Sequence, residues 1–339
     1  MCRARQALSA SLGVVLIALA AVAWGTTGSV MTVLGARAAA SPLLVGAARL
    51  WIAAVLLLVA LLLTGDGPAV DGKATRGAEP GRASPQGSDG ATPCPRHATH
   101  GVHRARGTRY GDLGRCVLMG ACMAAYQAAY FTAVTLSGIA VTALVAICSA
   151  PLMIAALAPW VLGEWLTARV RVALALGVVG TALLVVAPHG ALDLTARLGA
   201  GALLALAAGL AYALYVVLAK ATLARMAPLP LTALTFTAGA VLLTPAVLWT
   251  EAPLRQLALA WPWLLYLGGV ATAGAYAIYT LGLRHVPASV AGIVTLTEPF
   301  TATLLGVLLF GERLGVTGVL GALLLFAALG VVLTPQTSG

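Results

Sequence analysis
Apolar residues fall along this chain in long unbroken blocks, not in the alternating or one-faced patterns of a water-soluble fold. Ten blocks stand out, at 11–35, 42–64, 114–136, 138–162, 168–188, 197–223, 229–250, 261–283, 288–310 and 316–334. A helix needs about 20 apolar residues, rising about 1.5 Å each, to cross the hydrocarbon of a bilayer. Most connections are a few residues long, which predicts antiparallel neighbours in a compact bundle. The blocks are too long and too evenly apolar for barrel strands. Without water, only a helix satisfies its own backbone. The pattern therefore predicts an all-α membrane protein of ten transmembrane helices.

Composition agrees. Of 339 residues, 60% are hydrophobic and 9% charged, against about 25% charged in soluble domains. A water-facing globule is excluded, and so is a disordered chain. The first block begins after Arg3 and Arg5 and contains Ala21-Val22-Ala23, as a secretory signal does. Its apolar run continues to Leu34, which reads as a retained span.

The net charge of +10 is uneven: eight of the 20 Lys and Arg lie between Lys73 and Arg115. Fifteen basic residues fall on the side of the N-terminus and four on the other. The positive-inside rule then places both termini in the cytoplasm, in the inner cell membrane. Basic charge at this place fits anionic lipid and not nucleic acid.

Residues 65–113 are rich in Gly, Pro, Arg and Ser and read as a disordered cytoplasmic linker. Within them Cys94, His97, His100 and His103 recur every third residue, a spacing that zinc or copper accepts. A mobile tract supplies nothing to orient such ligands, so no metal site and no cofactor are expected. Five cysteines without CxxC spacing indicate no disulfide framework.

The chain repeats itself. Gly163-Glu164-Trp165-Leu166 matches Gly311-Glu312-Arg313-Leu314 at an offset of 148, and Pro151 matches Pro299 at the same offset. Ala23-Trp24 matches Ala211-Tyr212 at 188, the excess being close to the linker length. This divides the chain into one five-helix unit, 11–64 with 114–188, carrying the insertion 65–113, and a second unit, 197–334. Because five is odd, the second unit enters from the opposite side. Inverted repeats of this kind are a signature of secondary transporters, with a solute site near the midplane.

These residues also resemble a family. Ala23-Trp24-Gly25, Ala48-Arg49-Leu50, Thr297-Glu298-Pro299-Phe300 and Gly311-Glu312-Arg313-Leu314, in this order over ten spans, resemble EamA domains of the drug/metabolite transporter superfamily. The resemblance implies a ten-helix exporter of small metabolites, amino acids or drugs, with both termini inside. Three features depart from it: the long linker, Ala150 where an acidic or polar residue is expected, and Trp165 in the place of Arg313.

An ionisable group within a span is costly and marks a cavity or a pair. Glu298 lies ten residues, about 15 Å, into its span. Pro299 removes a backbone donor there, and Pro151 does so in the first unit; both are read as helix breaks. Thr295 and Thr301 lie on the face of Glu298, whereas the matching positions of the first unit are Ile147, Ala150 and Met153. Arg49, about 10 Å into span two, has three readings: snorkelling, pairing with Glu298, or binding a solute carboxylate. Trp24, Tyr126, Gln127, Tyr130, Tyr212, Tyr276 and Tyr279 lie away from span ends, where hydroxyls need partners, and either line a polar pathway or pack. Trp160, Trp249, Trp261 and Trp263 sit at span ends as interfacial anchors. Glu164 and Glu312, each just before a helix, are expected to cap spans five and ten.

The expected function is secondary transport of a small molecule between the two units, with protons as a candidate coupling ion through Glu298. The competing class is an integral membrane enzyme acting on a lipid or small amphipathic substrate. It lacks a nucleophile–base set or paired intramembrane acids.

Overall fold
The computed structural model describes residues 2–38, 40–65, 110–186, 196–248, 250–311 and 315–333. Among them are helices and turns only, with no strand. The linker with its Cys/His tract, Trp249 and Glu312–Leu314 lie outside the described residues. In chain order the helices are α1 (Cys2–Ala38) and α2 (Pro42–Thr64). A helical stretch Tyr110–Leu162 follows, dividing at Gly138 into α3 (Gly111–Gly138) and α4 (Val141–Leu162). Then come α5 (Ala168–Val186), α6 (Ala196–Thr222), α7 (Pro228–Leu248), α8 (Pro253–Leu283), α9 (Ala288–Leu309) and α10 (Val316–Leu333). Nine of these are long and apolar enough to cross a membrane, and α5, with 19 residues, completes the bundle.

Local chemistry sets most boundaries. Pro42, Pro228 and Pro253 each open a helix at a position whose N–H has no intrahelical acceptor. Gly163 and Gly311, 148 residues apart, both end a helix with φ 68°, a left-handed conformation that favours glycine. Gly138, at φ 80° and ψ 165°, turns the chain between α3 and α4. Leu62, Leu63, Leu254 and Trp160 are more than 80% exposed, so apolar surface points outward as lipid requires, around an interior that is itself largely apolar. Trp160 and Trp261 stand exposed at span ends, whereas Trp263 packs against a buried cluster that includes Leu264.

The two prolines behave differently. Helix α9 is interrupted at Thr295–Leu296, ahead of Pro299, whose ring displaces the carbonyl four residues earlier. Pro151 does not break α4, contrary to the sequence expectation; the only non-helical backbone in Tyr110–Leu162 is at Gly138. Pro151 is buried where α4 meets α9, and a Cβ at Gly292 would lie 3.4 Å from its Cα. Close packing there holds the helix on course, as neighbours can in a membrane bundle.

Helix α1 lies against α8 and α9, and α6 against the α3–α4 stretch. Helix α2 packs on α7 and α8, α3 on α7, α4 on α9, and α5 on α10. Exchanging α1–α5 with α6–α10 maps these pairings onto one another. The match extends to atoms. A Cβ at Gly120 of α3 would fall 2.6 Å from the Ala238 Cβ and 2.8 Å from the Thr235 carbonyl of α7. One at Gly268 of α8, 148 residues later, would fall 2.5 Å from the Ile52 Cβ and 3.2 Å from the Arg49 carbonyl of α2. Small residues at crossings let helices approach closely where dispersion, not water exclusion, holds them together.

Candidate functional site
The predicted aromatics, scattered over more than 250 residues of sequence, meet in one contiguous network. Trp24 of α1 stands 4.7 Å from Tyr276 and 5.2 Å from Tyr279, both on α8, and 6.4 Å from Tyr212 on α6, between ring centroids. Tyr212 reaches Tyr126 at 5.8 Å, and Tyr126 reaches Tyr130 at 5.7 Å, both on α3. Tyr215 joins through Tyr212 and Tyr276, and Phe236 of α7 packs on Tyr276 at 4.7 Å. These spacings are those of favourable edge and tilted ring pairs.

Polar groups in this network are under-used. Trp24 Nε1 and the hydroxyls of Tyr212, Tyr215 and Tyr279 are buried without a well-formed hydrogen bond. The Tyr212 and Tyr279 hydroxyls lie near one another, and Tyr215 near Thr280, but none closes to good geometry. A buried donor left unpaired costs about 1–3 kcal/mol. Four such groups gather in this one ring network.

Both intramembrane charges face this centre. Glu298 is part-buried on α9, immediately after the interruption at Thr295–Leu296, and its N–H donates to Thr295 O at 2.9 Å. The threonines around it are committed to backbone: Thr295 to Gly292 O, Thr297 to Val294 O, Thr301 to Thr297 O. Their hydroxyls are not spent on the carboxylate. Arg49 is buried on α2 and donates through Nε to Thr272 Oγ1 at 3.0 Å. Glu298 and Arg49 interact electrostatically with each other and with Tyr126, Tyr130 and Tyr276. The sequence reading that pairs them directly is not realised: among the described residues the ion pair within 4 Å is Arg115–Asp112, at 3.7 Å. Gln127 is buried on the α2 side of α3, beside Gly46 and Phe131. Ala150, where the first unit would carry its carboxylate, is buried near Gly209 of α6.

Three features escaped the sequence reading. Thr272 holds Arg49; Phe236 underlies Tyr276; and α8 widens into a π-helix over Tyr266–Gly274. The π-helix had a faint signal in Gly268-Gly269 and Gly274. π-Turns gather at functional sites.

At the face carrying the N-terminus, Glu164 Oε2 accepts the Ala288 N–H at 2.8 Å, so it caps α9 and not α5 as its place in sequence implies. The α4–α5 turn lies beside the start of α9, the helix on which α4 packs. Beside it Lys220 Nζ donates to the carbonyls of Leu283 at 2.8 Å, Val286 at 2.7 Å and Arg284 at 3.4 Å. An anion at a helix start and a cation at a helix end both oppose the partial charges there. At the other face Gln256 Oε1 accepts the Ser41 N–H at 2.8 Å and its amide donates to Glu251 O.

Apolar outer surface, ten packed helices and a polar, aromatic centre define a multi-pass α-helical membrane protein. The EamA-like transporter family matches residues 199–334. An uncharacterized transporter of Bacillus subtilis, YwfM, is 37% identical over 229 residues, spanning 63% of this chain and 71% of that protein. An uncharacterized transporter of Archaeoglobus fulgidus is 29% identical over 200 residues, 59% of this chain and 69% of its own. A solved crystal structure superposes at a TM-score of 0.71 over 95% of this chain and 96% of that one; at 18% identity it shares the fold. The chain belongs to the EamA-like transporter family and is a membrane transporter, not an enzyme.

Proposed function
We propose that the protein is a secondary transporter that exports a small molecule by alternating access between two inverted five-helix units, 11–64 with 114–188 and 197–334. The observation that carries this is the centre itself. Glu298, beside an interrupted helix, faces Arg49 and a ring network holding four unpaired buried donors. The exchange of helix pairings between α1–α5 and α6–α10, repeated at Gly120 and Gly268, supports the duplication. Units related in this way can rock about a central site, opening it to one side at a time.

In this account both termini lie in the cytoplasm of a cell whose inner membrane holds the protein, and lipid covers the outward leucines. The solute enters among Trp24, Tyr126, Tyr130, Tyr212, Tyr276 and Tyr279 and satisfies the free donors of Trp24, Tyr212 and Tyr279. Glu298 binds a proton or a cationic group of the solute, and Arg49 an anionic one. Proton exchange at Glu298 couples export to the pH gradient.

The test compares culture media of cells with and without the gene, then loads the exported solute into proteoliposomes under an imposed pH gradient. Gradient-driven flux disappears in E298Q. Full flux in E298Q refutes coupling at this carboxylate.

A further inference from the structure
A buried guanidinium is best satisfied beside a carboxylate, and Glu298 lies within the electrostatic reach of Arg49. Yet the two form no ion pair within 4 Å. Arg49 Nε is engaged by Thr272 Oγ1 at 3.0 Å instead. Thr272 accepts there because its own proton is committed to Leu267 O, five residues back, at 2.7 Å. That reach belongs to the π-helix Tyr266–Gly274; Thr280, in the following α-helical turn, bonds four residues back to Tyr276 O. The register of α8 on α2 is fixed at the same point, where Gly268 admits Ile52 and the Arg49 carbonyl.

The arrangement occurs once. In the matching crossing of α3 on α7, Gly120 admits Ala238 and the Thr235 carbonyl. Thr235 stands there in the place of Arg49, Ala124 in the place of Thr272, and α3 stays α-helical. Packing of α8 on α2 therefore does not by itself require a π-turn. The turn accompanies the charge.

We infer that Thr272, carried on the π-turn of α8, is a positioning residue that holds the Arg49 guanidinium off Glu298. An Arg49–Glu298 pair would be neutral and mutually satisfied, and a solute would have to break it. Held apart, each charge stays open to the solute and to its own protonation equilibrium. The inference rests on the reading of this centre as the solute site.

The test needs no identified solute. Full-length protein in lipid nanodiscs is treated with dicyclohexylcarbodiimide, which attacks protonated carboxyls in apolar surroundings, and modification of Glu298 is followed by peptide mass spectrometry. In T272V the freed Arg49 closes on Glu298 and keeps it ionised, so modification slows at least tenfold. T272S, which keeps the hydroxyl, stays near wild type, and R49Q added to T272V restores the fast rate. Should T272V not fold, T272A carries the same expectation. Wild-type rates in the hydroxyl-free variant, or no rescue by R49Q, overturn the spacer role. Failure of the solute-site reading looks different: E298Q then leaves flux intact while the contrast in labelling persists.

Discussion

Glu164, in the turn after α4, accepts the N–H of Ala288, the first residue of α9, at 2.8 Å. A turn in the first half of the chain thus terminates a helix in the second half. Losing a cap of this kind costs about 0.5–2 kcal/mol. E164A is expected to lower thermal stability by that order, and E164Q, which keeps an oxygen acceptor, by less. Unfolding of detergent-solubilised variants, followed by tryptophan fluorescence, measures both. Equal stability of E164A and wild type would show that the contact contributes nothing.

The two glycine crossings predict a matched pair of defects. Alanine at Gly120 or Gly268 places a methyl within 2.7 Å of the opposing helix, against a Cβ that cannot turn away. Overpacking of this kind costs about 1–3 kcal/mol, so both variants should show reduced folded yield by size-exclusion chromatography. Gly199 has nothing within 4 Å of the added carbon. G199A should be neutral or stabilising by up to about 1 kcal/mol, because alanine restricts the unfolded chain.

Acidification tests the charges at the α8–α9 turn. Partial burial, with the positive charges of Arg284 and Lys220 adding to it, holds the His285 imidazole below its ordinary value of 6.5. Above that value both folded and unfolded chains are neutral at this site and stability is level. Below it the unfolded chain takes the proton while the folded one resists, so stability falls as pH drops through the folded value. The effect is small because the side chain is largely exposed. H285Q should flatten the melting temperature against pH between about 7.5 and 5. K220M removes a positive neighbour and should raise the imidazole value, read by histidine NMR. It also strips the Leu283 and Val286 carbonyls of their donor and lowers stability at every pH.

Much of this molecule is legible in the order of its residues. Span number, the joint at Gly138 and the turns at Gly163 and Gly311 follow from apolar run length and glycine, because a bilayer demands both length and internal hydrogen bonding. Trp24, Arg49, Tyr126, Tyr212, Tyr276 and Glu298 are recognisable as a candidate centre because polar atoms within a span need a reason to be there. What ties Arg49 to Thr272 instead of Glu298 is not legible. A π-turn shifts a helical face by one residue, and it brings Thr272 of α8 to Arg49 of α2, a contact between segments more than 200 residues apart. Glu164 reaching α9 and not α5 is hidden for the same reason: sequence places it next to one helix, the fold next to another. Pro151 and Pro299 occupy matched positions, but only the surroundings decide which of them interrupts a helix.

In the proposed function two units of one ancestry stand oppositely in the membrane and enclose the solute site. Cysteine introduced at Trp165, in the turn after Gly163, and separately at Gly315, in the turn after Gly311, tests it directly. Both residues are exposed. With a membrane-impermeant maleimide on intact cells, Gly315→Cys should be modified and Trp165→Cys protected until the membrane is opened. Modification of both from the same side would contradict the inverted duplication.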